Sequence, residues 1–147
     1  MLKQKIAATV LLAAFSGAAF AGPPEEAMAK SHFKAVAAGD IDTLVDAYSD
    51  NATLYWIGGT LDGIYHGTKE IRDVWIKFVA NNDGQPRVAT VSGIEQSSNP
   101  KGATIAVSAD YKGKTNVKIR HVLVYRDDKL VNEVWQIDPG LQIAQNQ

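Results

Sequence analysis

The sequence contains no cysteine among its 147 residues, and this absence excludes three kinds of chemistry. Without thiols the chain can form no disulfide, bind no metal through thiolate and use no cysteine nucleophile. An excess of charge of one sign is also lacking, since 15 basic residues stand against 16 acidic ones. This balance gives no electrostatic case for binding nucleic acid or an anionic membrane. The folded state must therefore be held by packing, for which 46% hydrophobic residues are available.

Only one long apolar run is present, and it lies at the N-terminus. Lys3 and Lys5 precede the apolar residues 6–20, and Ala19-Phe20-Ala21 forms a small-x-small cleavage site. The run of about 15 residues is shorter than the roughly 20 that span a bilayer. The pattern predicts an export signal over residues 1–21 and a mature domain over residues 22–147. We expect the mature protein to be periplasmic or secreted, with no membrane anchor after cleavage.

The spacing of apolar residues predicts three helices followed mainly by strands. The first helix begins at Pro23 and ends at Gly39, Asp40 caps a short second helix, and Thr68 caps a third. Turn residues separate the predicted strands, which cover residues 53–57, 87–96, 103–111, 115–126 and 130–138. This order predicts a single α+β domain in which a curved, mostly antiparallel sheet wraps one side of three N-terminal helices.

Three phrases of the sequence carry a resemblance to a known family. They are AAGDIDTLVDAYSDNATLYW, HGTKEIRDVW and HVLVYRDDKLVNEVW, in that order along the chain. Together they resemble the SnoaL-like branch of the nuclear transport factor 2-like superfamily, which has the fold of ketosteroid isomerase. The resemblance implies a cone-shaped barrel with a pocket between the helices and the concave sheet face, and a homodimer formed through the convex face. The superfamily holds isomerases, dehydratases, cyclases, binding proteins and oligomerisation modules, so the fold does not settle the function.

The catalytic residues of ketosteroid isomerase are not present at the matching positions. That enzyme uses an Asp base on its first strand, with a helix Tyr and a sheet Asp in its oxyanion hole. Alignment through Gly39-Asp40 places Trp56 at the base, His32 at the Tyr and Arg120 at the sheet Asp. An indole has no lone pair that accepts a proton, so the sequence argues against ketosteroid isomerisation by that mechanism.

The last hairpin decides which side chains face the pocket. If Asp127-Asp128 forms a two-residue turn, regular pairing brings Arg120 opposite Trp135 and places Glu133 on the same face. This register predicts an ion pair between Arg120 and Glu133 beside Trp135, with His121 on the convex face. A longer turn would shift the register and exchange the two faces.

Three functions are compatible with such a pocket. In the first, Trp56, Arg120, Glu133 and Trp135 bind an apolar or aromatic small molecule that has a polar or anionic end. In the second, the chain is a lyase, isomerase or cyclase acting on a carbonyl compound, with His32 as proton carrier and Arg120 stabilising the oxyanion. In the third, the pocket is filled by side chains and the domain is a dimerising interaction module. His32 can equally be a hydrogen-bonded core residue.

The three histidines give no sequence signal for a metal site. His32, His66 and His121 fall on separate predicted elements, and no two of them have the i, i+4 spacing of a helix or the i, i+2 spacing of a strand. From the sequence we therefore expect no metal and no cofactor. The expected partners are a small-molecule ligand and a second copy of the chain, and not nucleic acid.

Overall fold

The computed structural model describes residues 24–144, and the α+β architecture is confirmed. The helices are α1 (Pro24–Ala38), α2 (Ile41–Ala47) and α3 (Gly67–Ala80). The strands are β1 (Tyr48–Ile57), β2 (Gly63–His66), β3 (Val88–Asn99), β4 (Gly102–Lys112), β5 (Val117–Arg126) and β6 (Lys129–Ile137). The export signal predicted over residues 1–21 lies outside the described residues. Within the described part of the chain, no helix is long and apolar enough to cross a membrane.

The six strands form one curved sheet in the order β2-β1-β6-β5-β4-β3. β1 and β6 are parallel, and every other neighbouring pair is antiparallel. The last strand is thus inserted beside the first one. The helices lie against one face, where α3 packs on β1 and β2 and α1 packs on β3 and β4. This arrangement encloses the interior between α1, α3 and the concave face.

The junction of the first two helices follows the sequence prediction. Gly39 adopts a φ of 69°, a left-handed conformation that glycine reaches without strain. The amides of Gly39 and Asp40 then donate to the carbonyls of Val36 and Ala35 and close the last turn of α1. Asp40 caps α2 by accepting from the Thr43 amide at 3.1 Å. The chain therefore reverses within two residues and brings α2 beside α1.

Two local predictions are wrong in the segment before α3. Residues 63–66 form the edge strand β2, whereas no strand was predicted from the sequence between residues 57 and 87. The residue that caps α3 is His66, not Thr68. The Glu70 carboxylate accepts from the His66 amide at 2.7 Å, and this contact starts the helix earlier than predicted.

The interior is filled by aromatic side chains that surround Trp135. Four aromatic rings have centroids 4.9–5.5 Å from it: those of Trp56, Trp75, Phe78 and Tyr111. Both Trp75 and Trp135 have no exposed surface. Aromatic groups at these separations add to the free energy of area burial, by about 0.5–1.5 kcal/mol a pair. The concave face of the sheet is therefore a packed core in this structure.

The pairing of β5 with β6 in the last hairpin is shifted by one residue from the predicted register. The turn has two residues as expected, since Arg126 pairs with Lys129. Tyr125 pairs with Leu130 but Val124 pairs with Asn132, so Val131 is an extra residue in β6. Such a β-bulge exchanges the faces of all residues beyond it relative to the partner strand.

The bulge corrects the predicted pocket face. His121, and not Arg120, lies opposite Trp135 and points into the interior with no exposed surface. Arg120 pairs with Gln136 and lies on the outer face, where it is half-buried. The predicted ion pair between Arg120 and Glu133 is therefore wrong, because the two side chains project from opposite faces of the sheet.

Candidate functional site

A buried polar cluster occupies the centre of the interior. Its hub is Glu133, whose Oε1 is 3.0 Å from His32 Nε2 and 3.2 Å from His121 Nδ1. The Tyr48 hydroxyl donates to the other carboxylate oxygen, Oε2. The side chains of His32, His121 and Glu133 have no exposed surface. We refer to His32, Tyr48, His121 and Glu133 as the buried cluster.

Two further hydrogen bonds orient the cluster from outside. Trp75 Nε1 donates to the Tyr48 hydroxyl at 3.2 Å, and the Tyr111 hydroxyl is 3.0 Å from His121 Nε2. Because a buried donor or acceptor without a partner costs about 1–3 kcal/mol, this connected network is what makes burial of a carboxylate tolerable. His32 Nδ1 is the exception, since it is buried and has no hydrogen-bond partner among the described residues.

Four separate elements supply the cluster. His32 lies on the buried stripe of α1 with Ala29 and Val36, and Tyr48 is the first residue of β1. His121 comes from β5 and Glu133 from β6, which are neighbouring strands. The contact between His32 and Glu133 joins residues 101 positions apart. No local sequence motif can contain a site of this kind.

Glu133 carries a buried negative charge. Burial by itself raises the pKa of Glu133, but the charge of His32 and the hydrogen bonds from both histidines outweigh burial and lower the pKa below its ordinary value of 4.5. Burial lowers the pKa of His121 from 6.5, against the opposing effect of Glu133. Burial, together with the Glu133 charge, also raises the pKa of Tyr48 well above 10.0. At neutral pH, Glu133 is therefore ionised and Tyr48 keeps its proton as a donor.

The structure brings together some of the predicted site residues and separates others. His32, Trp56, Glu133 and Trp135 all point into the interior as expected, yet none is more than 3% exposed. Arg120 is on the other face of the sheet and shares no site with them. A single substrate cannot therefore meet both His32 and Arg120 in this arrangement, and the predicted pair of proton carrier and oxyanion stabiliser is wrong. Their separate functional roles stay predictions.

A groove lies between α1 and β3. Its volume is about 810 Å³, within the roughly 300–1,000 Å³ typical of ligand sites. Most of its lining is apolar, and three basic side chains border it. The lining comprises Lys30, Phe33, Lys34, Ala37, Ala38, Pro86, Arg87, Ala89, Val91 and Ile94. None of these residues was singled out in the sequence.

Arg87 is the polar feature of this groove that most resembles a binding group. It is only 6% exposed, its Nη1 donates to the Thr115 carbonyl at 2.6 Å, and its guanidinium lies 4.8 Å from the Phe78 ring centroid. Its Nε is buried and has no partner, and among the described residues no carboxylate forms an ion pair with it. Burial lowers the pKa of Arg87, which remains charged at any physiological pH.

Arg87 also borders a second, smaller cavity on the other side. This cavity has a volume of about 160 Å³, and Trp56, Phe78 and Val117 are part of its wall. The backbone amide of Arg87 donates to the Ala37 carbonyl at 2.6 Å and fixes the residue to the end of α1. Arg87 thus belongs to the walls of both, and its guanidinium lies with Phe78 and Thr115, which line the smaller cavity.

Comparison with known proteins identifies the fold. No family model matches the sequence, and no curated protein matches it. Among solved structures, a nuclear transport factor 2-like protein of unknown function from Pseudomonas putida KT2440 has a TM-score of 0.67 at 15% identity, over 77% of this chain and 83% of that one. A ketosteroid isomerase-like protein from Erwinia carotovora atroseptica has a TM-score of 0.61 at 15% identity, over 76% and 92%.

A third neighbour has a different description. A putative calcium/calmodulin dependent protein kinase II association domain from Xanthomonas campestris has a TM-score of 0.65 at 16% identity, over 82% of this chain and 91% of that one. These likenesses confirm that the chain has the nuclear transport factor 2-like fold, which is also that of the ketosteroid isomerase-like neighbour. At such identities they show the fold alone.

Proposed function

Starting from the nuclear transport factor 2-like fold, we propose that this protein binds a small apolar molecule with an anionic end in the groove between α1 and β3. The observation that carries the proposal is Arg87, a buried residue that lines both an apolar groove of about 810 Å³ and the small cavity next to it, and whose guanidinium has no carboxylate partner among the described residues. A buried charge is ordinarily paired, because leaving water without a partner is costly. A carboxylate or sulfonate on the ligand supplies that partner.

The two lysines of the groove support the same ligand chemistry. Lys34 and Lys30 project from α1, and Lys30 is already paired with Glu26 at 2.7 Å. Lys34 is exposed and adds positive potential at the rim, which attracts an anion but binds it weakly in water. Arg87 can instead donate a directed, charge-assisted hydrogen bond at the inner end of the groove.

This proposal places the ligand in the groove between α1 and β3 instead of in the interior, where the sequence predicted it. Trp135, Glu133 and His32 belong to the packed interior, so a ligand could reach them only by displacing core side chains. Trp56 borders the small cavity next to Arg87, and it therefore keeps a proposed role as an aromatic wall at the inner end of the site. The apolar ligand with an anionic end is retained from the sequence analysis.

A pair of fluorescent probes tests the proposal. The probes are 1-anilinonaphthalene-8-sulfonate, an aromatic anion, and N-phenyl-1-naphthylamine, which has the same rings without the charge. We expect Arg87→Met to weaken binding of the anion by about 10-fold or more, since a hydrogen bond to a charged group contributes about 1.5–3 kcal/mol. Binding of the neutral probe should change little.

Two further variants make this experiment decisive. Ala38 lines the groove and is exposed, so Ala38→Trp should block both probes without disturbing the core. Arg120→Met removes an arginine from the outer sheet face and is the matched control, with unchanged affinity for both probes. Equal anion binding by wild type and Arg87→Met, or no effect of Ala38→Trp, would rule out this groove as the site.

A second candidate function is self-association, which the filled interior favours. Val122, Val124 and Val134 are half-buried apolar residues on the outer face of the sheet. The Xanthomonas campestris neighbour is described as a putative association domain. We propose that two copies pair through this face, and light scattering with size-exclusion chromatography tests it. The wild type should have the mass of a dimer and Val124→Lys that of a monomer, whereas a monomeric wild type would contradict the proposal.

A further inference from the structure

The side chains of the buried cluster include groups that can bind a metal ion as well as form hydrogen bonds. His32, His121 and Glu133 each offer one ligand atom, and these three atoms all lie within 4.8 Å of one another. We infer that these three side chains form a binding site for a single divalent transition-metal ion of the Zn²⁺ type. The site is independent of the groove between α1 and β3.

The distances suit an ion with short bonds to nitrogen and oxygen. Bonds of about 2.0–2.2 Å place neighbouring ligand atoms roughly 3.0–3.5 Å apart in tetrahedral or octahedral geometry. The separations of Glu133 Oε1 from the two histidine nitrogens, 3.0 and 3.2 Å, are already in this range. The two histidine ligand nitrogens, which lie within 4.8 Å of each other, need to approach by up to about 1.3–1.8 Å. Both imidazole nitrogens now point at Glu133 Oε1, so the three side chains must shift within the core until they point at an ion beside that oxygen.

Both histidines can present a lone pair to the ion without losing a hydrogen bond elsewhere. His32 Nδ1 has no partner among the described residues, so nothing fixes its tautomer and the proton can move from Nε2 to Nδ1. The Tyr111 hydroxyl next to His121 Nε2 can either donate or accept. In the metal-free protein both histidines donate to Glu133, and in the loaded protein both direct a lone pair at the ion.

The surroundings favour a cation of this class over others. Two imidazoles and one carboxylate are a ligand set typical of zinc and of non-haem iron, whereas Mg²⁺ and Ca²⁺ prefer oxygen ligands alone. Tyr48 holds the free oxygen of Glu133 and Tyr111 holds the far nitrogen of His121, as outer partners of metal ligands commonly do.

Titration of chelator-treated protein with Zn²⁺ tests the inference. Isothermal calorimetry should show one ion for each chain, and elemental analysis after desalting should give the same ratio. At zinc concentrations about 100-fold above Kd, the Tm should rise by roughly 5–10 °C. X-ray absorption at the zinc edge of the wild-type complex should report two imidazole ligands and one carboxylate, a result that requires no variant.

Variants separate the buried site from adventitious surface binding. Glu133→Gln and His121→Gln keep side-chain volume and should each weaken zinc binding by about 100-fold or more. His66→Gln is the matched control, because it removes the remaining, exposed histidine and should leave affinity unchanged. Loss of binding in His66→Gln alone, or oxygen-only ligation in the absorption spectrum, would overturn the inference. So would an absence of stoichiometric binding in the wild type.

Discussion

Replacing Glu133 by Gln should destabilise the protein strongly although it changes only one atom. The Glu133 carboxylate is fully buried and accepts from His32, His121 and Tyr48. In the Gln variant the amide group must face one of these donors, which leaves that donor unpaired, and the remaining hydrogen bonds lose their charge assistance. At about 1.5–3 kcal/mol for each charged hydrogen bond and 1–3 kcal/mol for a buried unpaired group, we expect a loss of about 3–5 kcal/mol.

Urea denaturation at pH 7.5 in the presence of a chelator measures this loss. A domain of this size has a total free energy of unfolding of about 5–15 kcal/mol, so Glu133→Gln should still fold but with a midpoint at markedly lower urea. Glu95→Gln, at an exposed position of β3, is the control and should stay within about 0.5 kcal/mol of wild type. A difference below about 1 kcal/mol for Glu133→Gln would refute the reasoning, because Glu133 would then not be an ionised, triply bonded group.

Three other outcomes follow from the structure, and a fourth follows from the sequence. In metal-free protein the free energy of unfolding should fall as the pH is lowered through 6.5, because of His121, and again below 4.5, because of Glu133. The folded state depresses the pKa of both groups, so the unfolded chain binds more protons in these ranges. Urea denaturation at a series of pH values measures this. Gly39→Ala should cost about 1 kcal/mol or more in thermal unfolding, since Gly39 has a φ of 69°. Arg120→Ala should change the free energy of unfolding by less than about 0.5 kcal/mol, whereas His121→Ala should reduce it by about 2–4 kcal/mol. In the register predicted from the sequence, with Arg120 inside and His121 outside, the larger loss would instead come from Arg120→Ala. Mass spectrometry of the protein recovered after export should show a chain that begins after Ala21.

Local sequence signals were sufficient to predict most of the architecture. The pair Gly39-Asp40 marked the end of one helix and the start of the next, because a left-handed residue followed by a capping carboxylate has few other uses. The resemblance to ketosteroid isomerase placed Trp56 on the inner face of β1, and the structure has it there, 3% exposed. The helix junction depends on neighbouring residues only, which is why the sequence alone reveals it.

The site was less predictable because its geometry depends on a single inserted residue. Val131 is a β-branched residue that fits a regular strand as well as a bulge, so nothing in its identity signals the shift. Every side chain of β5 beyond the bulge therefore lies on the opposite face of the sheet from the one predicted. The inward-facing orientation was therefore predicted correctly for Glu133 and Trp135 on β6, but the predicted faces of Arg120 and His121 on β5 were wrong.

The role of Arg87 was hidden for a different reason. In the sequence it is an ordinary basic residue near the start of a predicted strand. Its burial is decided by contacts with distant segments, namely the Ala37 carbonyl, the Thr115 carbonyl and the Phe78 ring. Tertiary packing, and not local pattern, turns this arginine into a candidate anion-binding group.

The insertion of the last strand beside the first has a consequence for the order of folding. Neither β1 nor His32 can acquire its final neighbours until β6 has been made, since β1 pairs with residues 130–136 and His32 with Glu133. A nascent chain that ends before β6 would leave the inner side chains of α1 and β1 without their partners. Contacts of such long range slow folding. The domain should consequently become protease-resistant only when nearly its whole length is available, rather than piece by piece from the N-terminus.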